Sequence, residues 1–259
     1  MNRQFVTYKS VDRIGHITID RANKRNALNA LVVEELNEVF QHAENDDSCK
    51  VIILQSTGEV FSAGADLEYL QKLQSYSREE NIVDSTKLMS LFKKIYALKK
   101  VVIAMIQGHA IAGGCGLASV CDFSIASKGA TFGYSEVKIG FIPAIVSVFL
   151  LRKIGEGKTK ELLLSGKYIS AEKAVEFGLI NAAVADKQLQ KSVMSLAHHL
   201  CQNTSKNSLS ATKQLINNIH DMTLDQALEL AIQENALARE SEDCKKGICA
   251  FLKKEKLYW

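Results

Sequence analysis

The stretch VVIAMIQGHAIAGGCGLASVCDFSIAS, Val101–Ser127, decides the fold. Its opening, VVIAMIQG, is a short continuous apolar run, and such a run predicts a strand buried on both faces. Its close, CDFSIAS, predicts another. Between them AIAGGCGLASV begins on two adjacent glycines, Gly113 and Gly114, and continues as a small, apolar helix. Strand, helix and strand in that order predict a parallel crossover.

The pattern repeats on the N-terminal side. KVIILQST is a third buried strand, followed by the small-residue loop VFSAGADL and a helix-like segment, DLEYLQKL. NIVDSTKLMSLFKKIYALKK and NALVVEELNEVFQHAEN read as helices, the second with an asparagine able to cap it. FVTYKS and GHITID alternate around VDRIG as a hairpin does. After Ile142 the character changes. VSVFLLRKIG, GKTKELLLSG, SAEKAVEFG, DKQLQKSVMSLAHHLCQN, SLSATKQLINNIH, TLDQALELAIQENALARESED and CKKGICAFLKKEK all read as helices, so the last hundred residues are expected to be almost wholly helical. With one proline, no linker and no internal repeat, the chain reads as one continuous domain with a helical extension. The apolar stripe of LDQALELAIQENALA is wide for a surface helix and predicts a partner, from this chain or a second copy.

Composition narrows the function. The chain has 259 residues, 47% hydrophobic and 24% charged, enough for a substantial core. A net charge of only +3 gives no electrostatic case for a nucleic-acid or membrane partner. MNRQFVTYKS lacks the apolar core of a signal peptide, and no apolar run approaches a bilayer span; a cytoplasmic protein is expected. The six cysteines form no C-x-x-C pair, and no metal site is expected from their spacing.

The two glycine loops carry the chemistry. Each follows a strand and leads towards a helix, where backbone N–H groups lack intrahelical acceptors and the helix end is partly positive. Glycine lets a ligand approach that backbone closely. Two such loops converging on one oxygen would stabilise developing negative charge, as an oxyanion hole does. Neither a P-loop nor a dinucleotide-binding glycine pattern is present.

FSAGADL, AGGCGLASVCDFSIAS, TFGYSEVKIGFIP and LLLSGKYISAEKAVEFGLINAAV, with RANKRNALNA before them, resemble in order the signature blocks of the enoyl-CoA hydratase/isomerase, or crotonase, family. The resemblance covers nearly the whole chain. It implies an α/β, crotonase-like superhelical core of repeated strand–strand–helix (ββα) turns over residues 1–195, and a C-terminal helical trimerisation region over 196–259. It implies an acyl-CoA thioester substrate, no separate cofactor because coenzyme A is part of the substrate, and a homotrimer or dimer of trimers.

By the same resemblance the amides of Ala65 and Gly113 are the oxyanion donors, and Glu136 is the acid–base residue. Lys24 or Arg25 would meet phosphate, with Ala27 and Ala63 along the path of the coenzyme. Asp66 would cap the following helix or contact coenzyme A, and Gly114 would lie in the substrate site. The segment from Leu67 to Val83 would shape the acyl pocket. Phe251 and Lys254 in the tail would approach coenzyme A, reaching a neighbouring subunit's site.

The family's hydratases hold a second glutamate three residues after the oxyanion glycine; here that position is Gly116, expected to leave room for a wider acyl group. Where hydratases follow IP with glycines, this chain has Ile145 and Val146, which fit a dry pocket. One acid suffices to move a double bond, taking a proton from one carbon and returning it to another. Both departures favour enoyl-CoA isomerisation. The alternative is an enoyl-CoA hydratase, methylglutaconyl-CoA hydratase-like enzymes for branched substrates included. A family member binds RNA through a lysine-rich helix, but the matching segment here, LVVEELNEVFQHAENDD, is acidic. A non-catalytic relative would not need Glu136 and both loops.

Overall fold

The computed structural model describes residues 3–259; Met1 and Asn2, at the start of the expected first region, lie outside the described residues. A hairpin, β1 (Val6–Val11) and β2 (Ile14–Ile19), is followed by α1 (Ala30–Asn45), whose first turn is capped by the Asn29 side chain accepting from the Val32 amide. Buried Glu35 of α1 accepts from the amides of Gln4, Phe5 and Val6 and so fastens the start of β1 to the helix. Next come β3 (Val51–Ser56), α2 (Leu67–Leu73), α3 (Arg78–Ala97), β4 (Val101–Ile106), the short β5 (Ala110–Ile111), α4 (Gly113–Val120), β6 (Phe123–Ser127) and β7 (Thr131–Gly133).

These strands build two layers. The main sheet has the order β1-β2-β3-β4-β6, antiparallel between β1 and β2 and parallel thereafter, with Val51 opposite Val101 and Ile103 opposite Phe123. The second layer holds the short strands: Ser62 bridges Ala110, and β5 pairs with β7. Each turn of the chain thus lays one strand in the main sheet and one in the second, then a helix. Successive residues of the main strands face opposite sides and are buried on both. Ile52, Leu54, Val102 and Ala104 pack towards α1, α3 and α4; Val51, Ile53, Val101 and Ile103 pack on the other side. That is why these strands read as continuous apolar runs.

The C-terminal part departs from expectation in two places. α5 (Ala144–Ser165) is broken at Gly155 (φ 75°, ψ 171°), so it is two helices end to end, as the two quoted segments imply. Beyond it lie two short strands, β8 (Ile169–Ser170), paired with β7, and β9 (Ala182–Val184), paired with β6, with α6 (Ala171–Glu176) between them. Strands this short leave no periodicity to detect, so the last hundred residues are not almost wholly helical. α7 (Asp186–Asn203) covers the second face of the main sheet through Leu189, Val193, Ala197, Leu200 and Cys201. Residue 195 therefore falls inside a helix of the core, and the chain leaves the sheet only after Asn203.

α8 (Lys206–Ile219), α9 (Leu224–Glu240) and α10 (Glu242–Lys253) complete the chain; the segment expected as one long helix breaks at Ser241, which caps α10. α8 is held to the core through polar bonds. Gln214 and Asn217 donate to the Ala97 and Tyr96 carbonyls at the end of α3. The buried Lys213 Nζ donates to the Lys100 carbonyl at 3.0 Å and to Asp122 Oδ2 at 2.7 Å. Asp122 also accepts from the Val102 amide, and burial pushes its carboxyl up despite Lys213. α9 has no buried residue; Leu224, Leu228, Ile232 and Leu237 are exposed along it. No helix among the described residues is long and apolar enough to cross a membrane.

Removing one partner of a buried pair strands the other charge. Lys213→Ala is expected to destabilise the chain by about 3 kcal/mol in urea unfolding, and Lys213→Met combined with Asp122→Asn by clearly less.

Candidate active site

The two glycine loops leave the carboxyl ends of β3 and β4, the edge where open parallel sheets bind ligands. The first is fastened from Asn26, a wholly buried residue in the left-handed region (φ 53°). Its side-chain amide donates to the Thr57 and Val60 carbonyls, both at 2.7 Å, and its own carbonyl accepts from the Ser62 hydroxyl. Gln107 adds bonds to the Ser56 and Gly58 carbonyls. Ala65 then forms an isolated parallel bridge with Leu28: the Leu28 amide donates to the Gly64 carbonyl, and the Asp66 amide to the Leu28 carbonyl. In that pairing the bonds come from the residues flanking Ala65, so its own N–H faces away from Leu28.

The second loop meets the first at Gly64, which has φ 88°. A Cβ placed on Gly64 would lie 2.7 Å from Ala112 Cβ and 3.3 Å from the Gly113 nitrogen, so the loops touch there at hydrogen-atom clearance. Ala112 caps α4 at φ 50°, ψ −122°, a conformation that strains any residue with a Cβ. It is held there by its amide donating to the Gly133 carbonyl at 2.8 Å and its carbonyl accepting from Gly116. Gly113, at the first helical position, has no intrahelical acceptor for its N–H. The chain thus sets the amides of residues 65 and 113 on neighbouring loops.

The same Gly133 tie brings in the acid. Ile111 pairs with Gly133, and the chain then enters a 3-10 turn, Glu136–Ile139, closed by Gly140 in the left-handed region. Glu136 is half-buried, and its Oε2 is buried without a hydrogen-bond partner. Burial pushes its carboxyl up, with its own backbone amide pulling weakly the other way. Beside it are two wholly buried groups, the Tyr134 hydroxyl, also without a partner, and the Cys115 thiol, which burial pushes up to about 12.

Other expected site residues are placed differently. Gly116 leaves no room: a Cβ there would lie 2.6 Å from Val146 Cγ1 and 2.8 Å from Phe92 Cε2. The expected space for a wider acyl group is filled by those side chains. Gly114 packs its missing side chain against Ser62, a contact within the protein rather than with substrate. Asp66 is buried and committed: it caps α2 through the Glu68 and Tyr69 amides and pairs with Arg21 at 2.6 Å. Burial would raise its carboxyl, but those bonds outweigh burial and hold it below the usual range. Its capping role is seen directly, and Arg21 and the two amides take up its carboxylate.

Lys24 and Arg25 lie exposed at the mouth of the first loop, where the Ala63 amide donates to the Arg25 carbonyl; Lys24 pairs with exposed Glu68 at 2.6 Å. Ala27 is buried under the Arg21 guanidinium, which donates to its carbonyl, whereas Leu67 is exposed beside Ala65. Phe251 and Lys254 lie away from the site of their own chain, and their expected approach was to a neighbouring subunit's site. The tail packs at the other end of the strands, where Arg13, just before β2, donates to the Trp259 carbonyl. Asn26, Arg21 and Gln107 were not singled out in the sequence; only the asparagine carried a signal, its tolerance of the left-handed region.

Between α3 and the start of α5 opens a cleft of about 380 Å³, lined by Arg78, Asn81, Ile82, Ser85, Thr86, Met89 and Ile145. Val146, next to Ile145 in the chain, is the residue that fills the slot at Gly116.

Known proteins agree with this architecture. The enoyl-CoA hydratase/isomerase family profile matches residues 10–259. A relative from Thermus thermophilus is 37% identical over 93% of this chain and 96% of its own. The short-chain-enoyl-CoA hydratase of Clostridium acetobutylicum is 31% identical over 95% of this chain and 93% of its own. The crystal structure of an enoyl-CoA hydratase from Shewanella pealeana superposes with a TM-score of 0.94 at 28% identity, covering 99% of this chain and 96% of that one. The chain belongs to the enoyl-CoA hydratase/isomerase family, has the crotonase fold and is an enzyme.

The filled slot is directly testable. Gly116→Ala is expected to cost about 1–3 kcal/mol in chemical denaturation through overpacking. Because Val146 is the near neighbour, Gly116→Ala with Val146→Ala should lose less than the sum of the two single losses.

Proposed function

We propose that this chain shifts the double bond of an enoyl-CoA thioester, with Glu136 as the only acid–base group. The observation that carries this reading is the filled slot at Gly116: where a second carboxylate would project, Val146 and Phe92 occupy the space. Activating a water and protonating the α-carbon are two jobs, and two carboxylates divide them. Moving a proton across an enolate is one job. Glu136 removes a proton from C2 of a 3-enoyl thioester, the electron pair spreads over C2–C4 and the thioester oxygen, and the same carboxyl group returns the proton to C4. The amides of Ala65 and Gly113 receive the charge on that oxygen, each such donor being worth about 10²–10³ in rate. Arg25 and Lys24 at the mouth of the loop are the cations for the coenzyme's phosphates.

Hydration is the second reading, favoured by the names of the relatives, among them the crotonyl-CoA hydratase of Syntrophomonas wolfei, 31% identical over 95% of this chain and 94% of its own. The unpaired cysteines, four of them buried, favour a reducing, cytoplasmic setting. The bare apolar stripe on α9 supports a homotrimer or dimer of trimers; Ile232→Glu should shift the sedimentation coefficient towards a smaller species, and an unchanged coefficient would remove α9 from the interface.

Glu136→Gln is expected to lower kcat by about 10²–10⁴. A base must be ionised to act, and burial raises this one, so kcat/KM should fall with acid through a pKa above the ordinary 4.5. Side-by-side assays of a 3-enoyl-CoA and of a 2-enoyl-CoA with water separate the two reactions. Faster hydration, or full activity in the glutamine variant, would overturn the single-base reading.

A further inference from the structure

The cleft beside the site carries a charge with no partner. One face of α3 presents Arg78, Ile82, Ser85 and Met89 to the cleft at helical spacing, opposite Ile145 of α5. The polar groups near Arg78 are mostly spoken for within the chain. The Asn81 side chain donates to the Tyr76 and Ser77 carbonyls, the Thr86 hydroxyl to the Ile82 carbonyl, and the Glu80 carboxylate completes the cap with Ser77. The Arg78 guanidinium forms no ion pair or hydrogen bond among the described residues.

Arg78 is exposed, and its position draws no benefit from the helix end. Arg78 is the first residue of α3, where the helix end is partly positive and an acid is preferred. A cation there adds to that positive end, and helix stability gives no reason for it. The wall it joins takes its apolar surface from Ile82, Met89 and Ile145, with Asn81, Ser85 and Thr86 between them. An apolar slot ending in an unpaired, fork-shaped cation is complementary to a chain of methylenes ending in a carboxylate.

We propose that the acyl group taken by this cleft ends in a carboxylate, which pairs with Arg78. The inference rests on the enoyl-CoA reading above and adds the class of acyl group. The acyl chain runs along α3 from the Met89 end, one turn before the Phe92 that packs on Gly116, towards Arg78, a distance of about 16 Å at the helical rise. The carboxylate accepts from the guanidinium, and no bond is made or broken there.

The test measures kcat/KM for enoyl-CoA thioesters matched in chain length and ending in a methyl group or in a carboxylate, at short, medium and long lengths. The carboxylate series should be preferred at one length, chiefly through KM. Arg78→Gln should cut that preference about 10- to 100-fold, as expected for a hydrogen bond to a charged group, and Arg78→Lys should restore part of it. Circular dichroism of each variant guards against a folding defect. Activity on methyl-ended substrates with no preference for carboxylates at any length would overturn this inference and leave the enoyl-CoA reading intact. A preference that survives Arg78→Gln would overturn the role of Arg78. No turnover of either series would instead overturn the enoyl-CoA reading.

Discussion

The structure turns on a contact between two backbones. Gly64 lies against Ala112 and Gly113 at a distance that admits a hydrogen and excludes a methyl group. Only that approach sets the Ala65 and Gly113 amides on facing loops. It places two residues at positive φ, one of them an alanine, a strain of about 1–3 kcal/mol for the latter. Such strain persists only where the surroundings over-determine it. Here they do: Asn26 and Gln107 hold the first loop from below, while the Gly133 carbonyl holds Ala112 from the second sheet.

The far end of the strands is organised by a different device. Four helices end on the ammonium of a lysine from another element. Lys100 donates to the Ala43 and Asp46 carbonyls at the end of α1, and Lys213 to the Ile95 carbonyl at the end of α3. Lys153 donates to the Ser119 and Cys121 carbonyls after α4, and Lys50 to the Cys201 carbonyl of α7. Each ammonium supplies donors where the helix leaves carbonyls unpaired and carries partial negative charge. Burial lowers the pKa of Lys50 and Lys153, so these bonds are made against a desolvation cost. Lys50 and Lys100 each stand immediately before a buried strand, and Val51 lies opposite Val101, so the two lysines occupy equivalent places in successive turns. With one end of the sheet closed by lysines, the open carboxyl ends are left for the ligand.

Much of this was legible in the sequence because fully buried strands and amphipathic helices have distinct periods. β3, β4 and β6 are apolar on both faces and could be read directly. β8 and β9 could not, because two or three residues define no period. The glycines show the limit for the site. That Gly113 and Gly114 begin a helix follows from their place after a strand. What each glycine is for does not, since a missing side chain looks alike whether it makes room for a ligand or for a neighbour. Gly116 was read as open space and is filled by Phe92 and Val146, which lie 24 and 30 positions away in the chain. Asp66 was readable in part: its helix cap was legible, but its partner Arg21 is distant in sequence, so its burial left no local trace.

The buried hydroxyl and the thiol bear on what Glu136, proposed above as the acid–base group, could exchange protons with. Cys115 is pushed up to about 12 and stays neutral, and burial pushes Tyr134 up as well, so neither competes for a proton near neutral pH. Apolar side chains close the side on which a second acid would stand. On the single-base reading proposed above, a proton taken by Glu136 goes back to the substrate or to water, because neither Cys115 nor Tyr134 competes for it. The basicity this requires has two opposed sources. Burial raises the carboxyl, the direction a base needs, and its own amide pulls the other way.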